Sequence, residues 1–135
     1  MVLRIKGKEL EKIVAHSKSE SPLEACGILI GSKEGATLTV KEVHKTRNIL
    51  KSSDKYQIDP KKQLEIFLDA DKKELDVIGF YHSHPFYNAD YSSTDLSSAN
   101  YPNHLYLIYS IKDNEFKCFL WNGENFDSEH IEKFD

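Results

Sequence analysis

The sequence predicts an α/β sandwich built on a largely mixed sheet. Short apolar runs at Leu23–Gly31, Val77–His82 and Leu105–Ile111 have the length of buried strands. Two amphipathic helical patterns are interleaved with them, at Lys8–His16 and after Asp59-Pro60. Phe116–Trp121 follows Leu105–Ile111 across the turn Lys112-Asp113-Asn114, the signature of a hairpin. Strands interleaved with helices and closed by a hairpin give a mixed sheet.

Each element has its own warrant. Leu10, Ile13 and Val14 form an i, i+3, i+4 stripe, so Lys8–His16 is a helix with that face in the core. A Ser-rich loop follows and closes at Pro22. Leu23–Gly31 is apolar almost throughout, as a strand buried on both faces is. Ala36–His44 alternates through Leu38, Val40 and Val43 and reads as a second strand. Tyr56-Gln57-Ile58 is a short extended piece. Asp59 can cap a helix, and Pro60 loses nothing at its first position. Leu64, Phe67, Leu68 and Leu75 share one face of that helix, and Leu64, Phe67 and Leu68 are assigned to the core. Val77–His82 is a strand leading into His82-Ser83-His84-Pro85. Ser92–Ala99 is a short helix entered through Ser and Thr. Asn122-Gly123 marks a turn, after which the tail adds a last short strand, and Trp121 closes one end of the sheet.

Composition narrows the function. The 135 residues fit one domain spanning residues 1–135. With 39% apolar and 30% charged residues the chain reads as globular, not disordered. Ala25–Ile30 and Leu105–Tyr109 are the longest apolar runs, far below the roughly 20 residues of a spanning helix. Met1-Val2-Leu3-Arg4-Ile5-Lys6 interleaves charge and does not read as a signal peptide. A cytoplasmic protein with no membrane partner is expected. Eighteen Lys and Arg against 22 Asp and Glu leave a net charge of −4, which argues against nucleic acid as a partner. The one basic stretch, Lys41–Lys55, is broken by Glu42 and Asp54. Cys26 and Cys118 share no CxxC spacing, so they read as buried thiols and not as metal ligands; a disulfide between them stays open.

Of the six histidines, only His82 and His84 have ligand spacing. Side chains alternate along a strand, so both imidazoles face one way and Ser83 faces the other. Pro85 ends the strand. The chain then returns through Phe86–Tyr91 to Ser92 and Asp95 at the start of the short helix. Two His and one carboxylate make a three-ligand zinc site with a position left for water, the catalytic pattern. Each residue also has a plain structural role available. Glu24 can be a loop acid, Ser92 a helix cap, and Asp95 an acid favoured by the first turn.

The whole constellation resembles a known family. His82-Ser83-His84, seven residues, Ser92 and Asp95 match the JAMM motif of the MPN-plus metalloproteases, HxH then SxxD, without a gap. The family's upstream glutamate at the head of a small-residue strand is similar to Pro22-Leu23-Glu24-Ala25-Cys26-Gly27-Ile28-Leu29-Ile30-Gly31. Asn48, Tyr56-Gln57-Ile58-Asp59-Pro60 and Gly79-Phe80-Tyr81 are also similar, so the resemblance covers essentially the whole chain. Its short length resembles the compact prokaryotic branch.

The resemblance implies a single-domain sandwich, a mixed curved sheet flanked by helices, of the JAMM/MPN, cytidine-deaminase-like kind. It implies one zinc ion per chain on His82, His84 and Asp95, Glu24 as general base, and Ser92 as donor to the oxyanion. The implied activity is a zinc-dependent isopeptidase or peptidase that cuts after the C-terminal Gly-Gly of a ubiquitin-like modifier or sulfur-carrier protein. An extended Gly-Gly tail is expected to lie along an open strand edge. Phe86, Tyr87 and Tyr91 are candidates to line its path. Many relatives carry Pro where Tyr91 precedes the motif serine, which bears on the shape of that groove. Two other classes stand against this reading. Some MPN domains are inactive scaffolds, but those have lost the ligands that this chain keeps. A zinc deaminase would need a PCxxC ligand pair, and the sequence has none.

Overall fold

In the computed structural model, which describes residues 1–135, the chain runs β1 (Val2–Lys6), α1 (Gly7–Glu20), β2 (Cys26–Glu34), β3 (Thr37–Thr46), α2 (Pro60–Lys72), β4 (Asp76–His84), α3 (Ser93–Ser98), β5 (His104–Ser110), β6 (Glu115–Trp121) and β7 (Phe126–Phe134). The strands join in the order β1-β3-β2-β4-β5-β6-β7, and β1 pairs with β7 to close a ring. Three pairings are parallel, β1–β3, β1–β7 and β4–β5, and the others are antiparallel. The sheet is mixed, as the sequence predicts.

Closure of that curved sheet goes beyond the sandwich that the sequence predicts. Its cause is β1, a strand that the sequence does not predict. Leu3 and Ile5 point inward and are fully buried, while Val2, Arg4 and Lys6 alternate outward. One side of β1 pairs with Thr37–Thr39 and the other with His130–Phe134. Every strand therefore has a neighbour on each side, although β1 meets β3 only through Thr37–Thr39.

Period-two alternation splits the core in two. On β5, Leu105, Leu107 and Tyr109 face one cluster with Leu3, Ile5 and Ile13. Tyr106 and Ile108 face a second with Ile28, Ile66 and Phe80. Each fully buried Leu or Ile contributes about 1.5–3 kcal/mol. Helix α1 covers the first cluster through Ile13, with Leu10 and Val14 beside it, so the predicted stripe is core. The helix outruns its predicted end at His16, and the Ser17 hydroxyl donates to the Ile13 carbonyl.

Helix α2 starts where the sequence predicts, with the Asp59 side chain accepting from the Lys61 amide and Pro60 at the first position. Its buried face is not the predicted one. Leu64 and Leu68 are 58% and 53% exposed, whereas Ile66 and Ala70 are buried and Phe67 packs beside them. The true i, i+3, i+4, i+7 stripe is Gln63, Ile66, Phe67, Ala70. Gln63 and Ala70 carry little hydrophobic signal, and Gln63 donates to the Tyr101 hydroxyl instead.

Strand β2 begins at Cys26, later than the predicted Leu23, because the Glu24 amide leaves the sheet and donates to the Ser52 carbonyl. Gly27 is a packing requirement. A Cβ there would lie 2.1 Å from the Tyr81 ring and 2.5 Å from the His44 carbonyl. Beneath α1, the Tyr81 hydroxyl meets His16 Nδ1 at 2.7 Å. Trp121 packs against the second cluster next to its strand partner Phe126. Cys26 and Cys118 are both buried and free, so the open question of a disulfide is answered. No helix is long and apolar enough to cross a membrane.

Candidate active site

The C-terminal end of β4 carries the two histidines. With two-residue spacing they point the same way, and their Nε2 atoms lie 3.2 Å apart. Helix α3 brings the third member. Ser92 caps it, its hydroxyl accepting from the Asp95 amide at 3.0 Å while the Ser92 amide donates to Asp95 Oδ2 at 2.9 Å. This capping box turns the Asp95 carboxylate back towards β4. Its Oδ1 lies 3.1 Å from His82 Nε2 and its Oδ2 3.0 Å from His84 Nε2.

The three ligand atoms lie within 4.8 Å of one another, and all three side chains are buried. Burial alone would raise the Asp95 pKa, but His82, His84 and the Ser92 amide outweigh it and hold the carboxylate well below its usual range. Burial opposes charge on His84, yet the hydrogen bonds to Asp95 and Asn88 win and raise it. His84 Nδ1 meets the Asn88 carbonyl at 2.7 Å. A carbonyl only accepts, so Nδ1 carries the proton, and in the neutral ring Nε2 presents a lone pair to the cluster. Two converging imidazole nitrogens and an ionised carboxylate form a donor set for a borderline cation such as zinc, and the residues fit that ion.

Glu24 comes from the loop ahead of β2 and is 1% exposed. Its backbone is held at both ends, the amide donating to Ser52 and the carbonyl accepting from Asn48 Nδ2 at 3.1 Å. Its Oε1 is buried with no hydrogen-bond partner. Burial, then the charges of Asp95 and Asp54, push its pKa up to about 9. A buried acid with an unused oxygen beside a ligand cluster is the environment of a proton-transfer group.

Two loops frame the cluster. From residues 47–57, Tyr56 stacks on His82. From residues 86–91, Tyr87 stands edge-on to His84 with centroids 6.2 Å apart, and Phe86 beside it is 55% exposed. Tyr91 is turned elsewhere, packing against Phe119 and Phe126. Beyond Tyr56 lies a cavity of about 270 Å³ walled by Tyr56, Phe80, Tyr101 and Tyr106.

Residues 8–122 match the family described as prokaryotic homologs of the JAB domain. The chain belongs to this family. The JAB family is the JAMM family of the sequence motif, and the chain is a hydrolase of this metalloprotease class. It is 31% identical over 121 residues to a desampylase from Haloferax volcanii, covering 86% of this chain and 85% of the relative. It is also 31% identical over 112 residues to the CysO-cysteine peptidase of Mycobacterium tuberculosis, covering 83% of this chain and 75% of that one. Among solved structures, a protein from Desulfitobacterium hafniense superposes with a TM-score of 0.91 at 31% identity, covering 98% of this chain and 93% of that one.

The JAB chain brings together His82, His84, Asp95, Ser92 and Glu24 as candidates, and Tyr87 beside them. Tyr56 as a contact of His82, and Asn48 as the clip on Glu24, carry no spacing signal in the sequence. Both stood in segments already similar to the family, but only the fold gives them a target.

Proposed function

We propose that this JAMM chain is a zinc-dependent isopeptidase or peptidase that cleaves after the C-terminal Gly-Gly of a ubiquitin-like modifier or sulfur-carrier protein. The convergence of His82, His84 and Asp95 on one point, beside a buried Glu24 with a free oxygen, carries the reading. These three residues would hold the zinc. Bound there, zinc polarises the scissile carbonyl as a Lewis acid and lowers the pKa of water from about 15.7 towards 7.

The chain's own groups do the rest. Glu24 takes a proton from the attacking water as the new C–O bond forms, and delivers it to the amine as the C–N bond breaks. Its burial and its unpartnered Oε1 leave it free to take up and return that proton. The Ser92 Oγ already accepts from the Asp95 amide, so its O–H is left to donate to the developing oxyanion. The tail would pass between the loop of Tyr56 and the loop of Phe86 and Tyr87, where the Tyr56 and Tyr87 rings flank His82 and His84. Tyr91 would shape this path only from behind, through Phe119 and Phe126.

Two leaving groups fit the relatives' names. A desampylase and a CysO-cysteine peptidase stand at equal identity, so both a lysine side-chain amine and a C-terminal cysteine are candidates. Protein purified without a tag or chelator should carry about one zinc per chain, lost in His84→Ala. Ubiquitin-fold proteins ending in Gly-Gly, joined to a lysine side chain or to cysteine, then report which bond is cut. No zinc after reconstitution, or zinc with neither bond cut, would sink the proposal.

A further inference from the structure

Ser83 sits between the two histidines and faces away from the cluster. It is fully buried, and so is Ala25, its neighbour across the sheet. The β2–β4 register pairs Cys26 with His82, so Ala25 and Ser83 form the next rung. A regular hydrogen-bonded antiparallel rung exchanges two backbone bonds. Here only one is present, from the Ser83 amide to the Ala25 carbonyl at 3.0 Å. The Ala25 amide goes instead to the Ser83 hydroxyl, at 2.8 Å. The side chain has replaced the Ser83 carbonyl as acceptor, just where the chain leaves β2 and becomes the Glu24 loop.

We infer that the Ser83 hydroxyl is a positioning residue for Glu24, setting where the acid stands over the cluster by holding the amide of the next residue. The inference rests on the proposed role of Glu24. On the far side, Asn48 and Ser52 hold the Glu24 backbone, so Ser83 is the third point of a clamp and the only one on the ligand strand. It ties the height of the base to the strand that carries both histidines. A base displaced by about 1 Å loses up to roughly 10²-fold in rate.

The test compares Ser83→Ala, Ser83→Cys and Ser83→Thr with wild type, each also in a Glu24→Gln background. The substrate is a ubiquitin-fold protein ending in Gly-Gly, amide-linked to a fluorophore. Threonine keeps the acceptor, cysteine keeps the size but accepts weakly, and alanine removes it. With zinc still near one per chain, Ser83→Ala should lose roughly 10- to 100-fold in kcat with KM within about twofold. Ser83→Cys should fall between, and Ser83→Thr should stay near wild type. In the Glu24→Gln background the Ser83→Ala loss should vanish, which a general loss of structure would not produce. If Ser83→Ala does not fold, Ser83→Cys decides by the same criteria.

Unchanged kcat, a loss expressed in KM, loss of zinc, or an equal loss on top of Glu24→Gln each overturns the inference. If wild type cleaves nothing, the functional reading fails separately. Hydrogen exchange at the Ala25 amide still judges the clamp, which requires that this amide be protected in wild type and exposed in Ser83→Ala.

Discussion

Tyr56 lies flat against His82, with ring centroids 4.6 Å apart and planes inclined by 24°. His82 needs this support because its Nδ1 is buried with no hydrogen-bond partner. His84, by contrast, is anchored through Nδ1 to Asn88. The two histidines are thus held by different physics, one by packing and one by a hydrogen bond.

Removing the ring should therefore loosen one ligand. Tyr56→Ala is expected to weaken zinc binding by roughly 10- to 100-fold, the usual cost of losing a group that orients a ligand. Tyr56→Phe, which keeps the ring, should bind zinc as wild type does. Competition against a chelator of known affinity measures both; equal affinities in wild type and Tyr56→Ala would refute the role.

Glu24 gives a pH signature in the metal-free protein. Its pKa is raised from 4.5 to about 9, chiefly by burial. Between those values the folded chain holds a proton that the unfolded chain has released. Stability should then fall as pH rises from about 5 to about 9. Glu24→Gln cannot titrate, so its stability should fall less over that window. Thermal melts of both metal-free proteins across the range make the comparison, and parallel curves would contradict it.

Ser92→Ala separates capping from catalysis. The cap is expected to cost about 1 kcal/mol, softened by Ser93 and Thr94 as substitute caps. The Asp95 carboxylate is held by the Ser92 amide, which the variant keeps, so zinc should stay bound. Turnover should fall on the order of 10² to 10³, as for the loss of one oxyanion donor. A turnover within twofold of wild type would leave Ser92 a cap alone.

Both cysteines should be silent towards thiol reagents in the native state. Burial pushes Cys26 up to about 11, against the opposing effect of its hydrogen bond with Thr46, and Cys118 up to about 12. At pH 8 a chromogenic disulfide should find no thiol in folded protein and two per chain in denaturant. Fast labelling without denaturant would point to local opening.

The candidate site was legible because its parts obey short-range rules. Two-residue spacing fixes the common face of His82 and His84, and a Ser-to-Asp capping box turns Asp95 towards them. Contacts set at long range were not legible. Nothing near Tyr56 in sequence announces His82. Val2–Lys6 is a strand only because segments more than thirty and more than a hundred residues later flank it. The inward face of α2 is not marked by its leucines: Ala70 is buried for shape and half-buried Gln63 is held by its hydrogen bond to Tyr101, while Leu64 and Leu68 stay outside.

The β1–β7 seam also has a consequence in time. One of the earliest strands to leave the ribosome must wait for the last, because only residues 130–134 complete its pairing. Until then β1 and β6 both keep raw edges open to other chains. Pulse-labelled exchange during refolding should find the β1 and β7 amides protected together and after those of β2 and β4. The ligand strand would then be in place before the ring shuts, and aggregation of the nascent chain, more than loss of the zinc site, would be the cost of weakening that seam.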